Sequence, residues 1–161
     1  MKRTILAAVF VLGVTITYAQ TQTADKAYLL NVHALGADRS AVKATRDFWS
    51  RVGEQKEEQW YKLPAGGFMA EYLEGKTQAR FMYNAHGDFI YSILTYDEKK
   101  LPADVRHLVR SNYYDYSITW VKEINEPEIV VYVVHIEDAS SWKELAVQDG
   151  EIRVLQSFCK Q

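Results

Sequence analysis

Between Glu58 and Thr95, and again between Ser117 and Phe158, strand-like runs follow one another across turns of only a few residues. The turns are marked by Pro64-Ala65-Gly66-Gly67, Glu74-Gly75-Lys76, His86-Gly87-Asp88, a segment holding Pro127, Asp138 to Ser141, and Gln148-Asp149-Gly150. A parallel neighbour would need a crossover of about a dozen residues or more. None of these turns can hold one, so the pattern predicts an antiparallel sheet with helices covering a face.

Each block of strands follows a helical pattern. Ala41, Ala44, Thr45, Phe48 and Val52 recur at three and four residues from Asp38, with Ser40 placed to cap the start and Gly53 to stop a helix of about thirteen residues. Strands are then expected at Glu58 to Leu63, Phe68 to Leu73, Arg80 to Asn84 and Phe89 to Thr95. Leu101, Val105, Leu108, Val109 and Asn112 form a second stripe, with Pro102 in its first turn and an end near Tyr113. Strands follow at Ser117 to Glu123, Ile129 to Glu137, Trp142 to Val147 and Glu151 to Phe158. Sliding the chain by 60 puts Phe48 on Leu108, Trp60 on Trp120 and Lys62 on Lys122; sliding it by 63 puts Pro64 on Pro127, Gly87 on Gly150 and Phe89 on Ile152. Matches this sparse arise either from duplication, the favoured reading, or from shared helix-and-four-strand grammar. The expected fold is therefore α+β: two tandem αββββ repeats, 38–96 and 97–161, with an antiparallel sheet and the helices on one face.

The amino-terminal region reads differently. Lys2 and Arg3 precede an uncharged apolar run that ends in Thr17-Tyr18-Ala19, the pattern of a signal peptide over residues 1–19 cleaved after Ala19. Residues 20–37 are expected to be a tail with a short strand at Tyr28 to Val32. Periplasmic or secreted location follows, with no stable membrane span after cleavage. Cys159 is the single cysteine, so no intramolecular disulfide can form, and it reads as a small apolar residue at the end of the last strand. The 161 residues carry 19 Lys plus Arg against 21 Asp plus Glu. Losing Lys2 and Arg3 with the signal leaves 17 against 21. That balance lacks the cationic excess that phosphate neutralisation needs, which argues against nucleic acid as a partner.

Two segments carry a resemblance: Tyr96-Asp97-Glu98-Lys99-Lys100-Leu101-Pro102-Ala103-Asp104-Val105 and Tyr113-Tyr114-Asp115-Tyr116-Ser117-Ile118. With the Trp-x-Lys strand and the Gly-containing hairpins, the chain over about residues 38 to 160 resembles the small exported bacterial proteins called beta-lactamase-inhibitor-like or PepSY-like. The resemblance implies paired helix-plus-four-strand units and a non-catalytic, protein-binding or inhibitory role.

Signatures of chemistry are missing: no Gly-x-Ser-x-Gly, no His-Glu-x-x-His, no cysteine pair and no phosphate-cradling glycine run. His33, His86, His107 and His135 share no local metal-ligand spacing, and His135, on a strand face with Val131 and Val133, reads as a core-edge residue with a hydrogen-bond partner. Glu57-Glu58, Asp97-Glu98 and Glu137-Asp138 sit in turns or at strand ends, where solvation explains them. No catalytic residue, metal site or cofactor is expected. Aromatics are the one excess: four Trp, eleven Tyr and six Phe. Trp60, Tyr72, Tyr83, Tyr91, Trp120, Tyr132 and Trp142 fall on strands, where they either pack cross-strand or face a partner from the side the helices leave open. The expected function is an exported, non-enzymatic binding module for an unknown protein or peptide of the cell envelope, an inhibitor of an envelope enzyme being one form. Its candidate binding residues are Trp60, Tyr72, Tyr91, Trp120, Tyr132 and Trp142, with His86 and Asp88 from one hairpin turn and the Asp149-Gly150 turn beside them. The alternative is a small-ligand or glycan carrier stacking its ligand on the aromatic sheet face.

Overall fold

The computed structural model describes residues 28–30, 38–53 and 57–160; the expected signal peptide and most of the expected tail lie outside them. The elements run β1 (Tyr28–Leu30), α1 (Arg39–Val52), β2 (Gln59–Lys62), β3 (Phe68–Glu74), β4 (Thr77–Tyr83) and β5 (Phe89–Tyr96). After a 3-10 turn at Glu98–Lys100 come α2 (Ala103–Asn112), β6 (Ser117–Asn125), β7 (Val130–Glu137), β8 (Ser141–Gln148) and β9 (Glu151–Cys159). Each described strand hydrogen-bonds antiparallel to the next in chain order, β1 through β9, as the short turns require.

The expectation of two tandem αββββ repeats is corrected here. The nine described strands form one continuous sheet, in which β5 pairs with β6 from Ser92↔Asn125 to Tyr96↔Val121. Two separate four-stranded units would leave unpaired backbone groups along the inner edges of both, and joining β5 to β6 removes those edges. β1 adds a strand outside β2 that belongs to neither expected unit. The helices also differ in kind. α1 has 14 residues and starts at Asp38, whose carboxylate accepts from the Ser40 and Ala41 backbone N–H groups, so Asp38 and not Ser40 is the cap. α2 has 10 residues and begins after Pro102 with no side-chain cap.

Alternation decides which residues of each strand face the helices. Against α1, Ala41, Ala44 and Phe48 meet Trp60, Phe68, Ala70, Ala79, Phe81 and Tyr83. Phe48 packs edge-on against Trp60, Tyr72 and Phe81 at centroid distances of 5.4, 5.8 and 5.2 Å. Against α2, Val105 and Val109 meet Ile118, Val121, Val134, Ile136, Leu145 and Val147. Leu94 on β5 touches both clusters, and the strand registers put them on the same side of the sheet.

Two turns fix how the helices and hairpins meet. Gly87, in the β4–β5 turn, has a φ of 78°, and a Cβ there would lie 2.1 Å from the Ser40 carbonyl oxygen of α1. The turn can approach the helix this closely only without a side chain. In the β7–β8 turn, Asp138 Oδ1 accepts from the Ser140 and Ser141 backbone N–H groups at 2.7 and 2.6 Å and from both Ser hydroxyls. These bonds, led by the Ser140 N–H, hold its carboxyl down at about 2 from an ordinary 3.8.

Gly87→Ala is expected to cost roughly 2 kcal/mol in urea unfolding, from clash and backbone strain together. Gly75→Ala, at a φ of 59° in open space, should cost less. Because the Asp138 carboxyl is depressed in the folded state, its contribution is present above pH 3.8 and lost as the pH falls towards about 2. Thermal denaturation at a series of pH values should therefore show wild type losing stability across that window more steeply than Asp138→Asn.

Candidate functional site

Both described helices lie on one side of the sheet, so among the described residues the other side is built by strands alone. On β6 to β9 it carries a row of rings. Trp120 sits beside buried Val121, His135 between buried Val134 and Ile136, and Trp142 beside buried Ser141, so all three point away from the helices. Trp120 stacks on His135 at a centroid distance of 4.9 Å and 16° between planes; His135 stacks on Trp142 at 5.3 Å and 28°; Trp142 stacks on Phe158 at 5.8 Å and 19°. Trp120↔His135 and Trp142↔Phe158 are direct cross-strand partners, whereas His135 reaches Trp142 diagonally. Lys122, two residues along β6, holds Nζ 4.7 Å from the Trp120 ring centre. At the opposite end Phe158, on the edge strand β9, is 56% exposed.

Centroids this close, with planes nearly parallel, mean rings stacked with an offset rather than laid side by side. Their faces meet one another and their edges meet solvent. The Nδ1 of His135 is buried and has no hydrogen-bond partner. Stacking between two indoles covers both faces of this ring.

The same face continues over the first half of the sheet without a ring stack. Tyr61↔Met69↔Met82↔Tyr91 are successive register partners across β2 to β5, all half-buried, and Ile93↔Ile124↔Val131 run beside them. Tyr, Trp and Met together are the residue types that protein interfaces favour.

The sequence-derived candidates divide three ways. Tyr91, Trp120 and Trp142 lie on this open face. Trp60, Tyr72 and Tyr132 do not: Trp60 is fully buried under α1, Tyr72 packs on Phe48 and Phe81, and Tyr132 lies against the α2 cluster. Trp60 Nε1 donates to Glu58 at 3.1 Å, and the same carboxylate accepts from Trp49 Nε1 at 3.0 Å. His86 and Asp88 form part of the β4–β5 turn, where Asp88 pairs with Lys43 of α1 and accepts from Asn84 Nδ2 at 3.1 Å. The Lys43 contact, with the Asn84 bond second, holds the Asp88 carboxyl below its ordinary range. That pair fastens the hairpin to the helix. Tyr113 and Tyr116 close the second core, Tyr116 through a hydroxyl 2.7 Å from Ser141 Oγ, while Tyr114 is exposed.

Sequence reasoning missed His135, Phe158, Tyr61, Met69 and Met82. Strict alternation with Val134 and Ile136 marks His135 as outward-facing, but its contact with Trp142 is a matter of register between strands. Among the described residues no group of three or more His, Cys, Asp or Glu is placed to hold a metal ion, and no helix is long and apolar enough to cross a membrane. Two buried hydroxyls are tied to carboxylates, Tyr83 to Asp47 at 3.1 Å and Tyr96 to Glu123 at 2.5 Å. Burial above all, and then those carboxylates, push both phenols up, so neither is poised to give up a proton.

No family model and no curated protein matches the chain. Its fold is similar to that of a DUF2874 family protein from Bacteroides ovatus, with a TM-score of 0.56 and 13% identity over 73% of this chain and 85% of that one. It is also similar to a BLIP-like protein from Bacteroides fragilis, with a TM-score of 0.54 and 15% identity over 73% and 84% of the two chains. A third, from Bacteroides eggerthii and described only provisionally as periplasmic, gives 0.55 and 12% over 73% and 86%. The likeness is one of fold, and it supports the beta-lactamase-inhibitor-like part of the resemblance; nothing in it supports the PepSY-like part.

His135→Phe keeps a ring in the stack and removes the unpartnered buried nitrogen. It is expected to leave stability unchanged or raise it by about 1 kcal/mol in urea unfolding, whereas His135→Ala should lower it.

Proposed function

We propose that this protein is an exported, non-catalytic binding module that engages a protein or peptide of the cell envelope through the open face of its sheet. One observation carries the reading: the Trp120–His135–Trp142–Phe158 stack lies on the side that neither helix covers. A row of rings held by its own contacts presents a rigid, half-desolvated apolar surface, and such a surface loses little conformational freedom when a partner covers it. The Tyr and Met row across β2 to β5 extends it towards the size that specific protein interfaces reach, about 800 Å² per partner. The BLIP-like fold likeness supports the same class of function, and inhibition of an envelope enzyme is one form that it takes. The apolar run and Thr17-Tyr18-Ala19 support export with cleavage after Ala19, and the provisionally periplasmic neighbour supports that location.

A glycan carrier is the weaker reading, for a geometric reason. A sugar stacks on a ring face, and the faces within this row are already covered by neighbouring rings and by Lys122.

The test is affinity capture of envelope and secreted proteins on the immobilised chain from Gln20, beside Trp120→Ala/Trp142→Ala. Trp60→Ala is unsuitable, because that indole is core. The expected result is a protein retained by wild type and at least tenfold less by the double variant, with the variant still unfolding cooperatively. Equal retention by both overturns the assignment of the face, and retention of nothing overturns the binding reading itself.

A further inference from the structure

On the opposite side of the molecule, where α2 crosses the ends of β7 and β8, the fold forms a cavity of about 790 Å³ that is open to solvent. Its floor is apolar: Val105 and Leu108 from α2, Val130 and Tyr132 from β7, and Val147 from β8. Val105 and Val147 are buried in the second core, so the cavity opens directly onto close-packed structure. Three carboxylates stand around it: Asp104 in the first turn of α2, Glu128 in the β6–β7 turn and Asp149 in the β8–β9 turn. The remaining lining residues are His107, Ser111, Gln148 and Gly150, with no Lys or Arg among them. None of the three carboxylates makes an ion pair with a described residue.

The position of these groups follows from the topology. In an antiparallel meander the β6–β7 and β8–β9 turns fall at the same end of the sheet, so Glu128 and Asp149 come from neighbouring hairpin tips while α2 supplies Asp104 from above. Asp149 is held there by its own backbone, which has a φ of 50°, next to Gly150 at 78°. The negative field reaches the floor. The Tyr132 hydroxyl is pushed up first by burial and then by Glu123 and Asp104.

We infer that this cavity is a binding site for a small organic cation, an ammonium group carried on an apolar body. The volume falls within the range of small-ligand pockets, about 300 to 1,000 Å³, and the apolar floor with a few polar groups at the rim is their usual composition. Charge selects the ligand's sign: a carboxylate or phosphate would meet three like charges and no Lys or Arg, whereas an ammonium would be attracted by all three. The site does not rest on the sheet-face reading above, because its residues lie on the helix-covered side.

The test uses titration calorimetry at low salt on the chain from Gln20, with phenethylamine as the cation, 2-phenylethanol as its neutral counterpart and phenylacetate as its anion. A blocked Ala-Lys-Ala tripeptide distinguishes a free amine from a peptide side chain. The expected result is binding of phenethylamine, about tenfold or more weaker for 2-phenylethanol and absent for phenylacetate. Asp104→Asn/Glu128→Gln/Asp149→Asn, three exposed positions, should weaken phenethylamine about tenfold while leaving the unfolding midpoint near that of wild type. Trp120→Ala/Trp142→Ala should bind it as wild type does. Equal binding of the three phenyl compounds, no binding of phenethylamine at millimolar concentration, or an unaltered triple variant would overturn the inference. Binding of the tripeptide in place of phenethylamine would overturn the assignment to a small ligand.

Discussion

A single antiparallel sheet has two faces, and the two described helices of this chain both lie on one of them. Nearly every other feature follows from that inequality. On the covered side, the helices desolvate strand residues, and the core forms as two clusters joined at Leu94 because α1 and α2 cover different strands. Phe48 is the centre of the first cluster, three edge-on aromatic contacts from one side chain, and such a contact set is available only where a helix presses rings against rings. On the other side no described helix is available to do this, and the apolar side chains described there make contact among themselves.

The row from Trp120 to Phe158 is that solution. Strands spaced about 4.8 Å apart bring cross-strand rings to stacking distance without any distortion of the sheet. Each ring loses exposed face to its neighbour, which lowers the apolar area left in water while keeping a ring edge at the surface. The arrangement also explains how a histidine with an unpartnered buried nitrogen is tolerated at position 135. Two indoles lie on its faces, and the unmade hydrogen bond, a cost of about 1–3 kcal/mol, is offset by that contact. A surface organised in this way is preformed rather than assembled on binding, and it differs in kind from a face of scattered exposed apolar residues.

The strands and helices were legible because turn residues and period are local signals. Gly87 and the Asp149-Gly150 pair mark hairpins from sequence alone, and the stripe from Ala41 to Val52 marks α1 to within two residues of its ends. What was not legible depends on pairing. The tandem-repeat reading began a second unit at residue 97, whereas hydrogen bonding of β5 to β6 merges both blocks into one sheet. Trp60 and Trp120 occupy matching places in the two blocks, yet one is fully buried beneath α1 and the other stacks in the open. The difference lies in a register shift between Ile118 and Trp120, which turns Trp120 away from the helices while Ile118 stays in the core. No propensity or spacing argument contains that shift.

The same strands serve both candidate surfaces, and alternation is what permits it. β7 sends Tyr132 to the cavity beneath α2 and His135 to the ring row, with Val134 and Ile136 buried in the core. β8 sends Val147 one way and Trp142 the other. For both strands the switch between faces is a change of parity along the chain, since the side-chain period is two. A one-residue slip of either strand would therefore exchange core for surface and disrupt both candidate surfaces together. The paired ladders of β6 to β9 resist that slip, as does the Asp138 turn that fixes where β7 ends and β8 begins. Two chemically unlike surfaces, one of ring edges and one of carboxylates over an apolar floor, thus depend on one register.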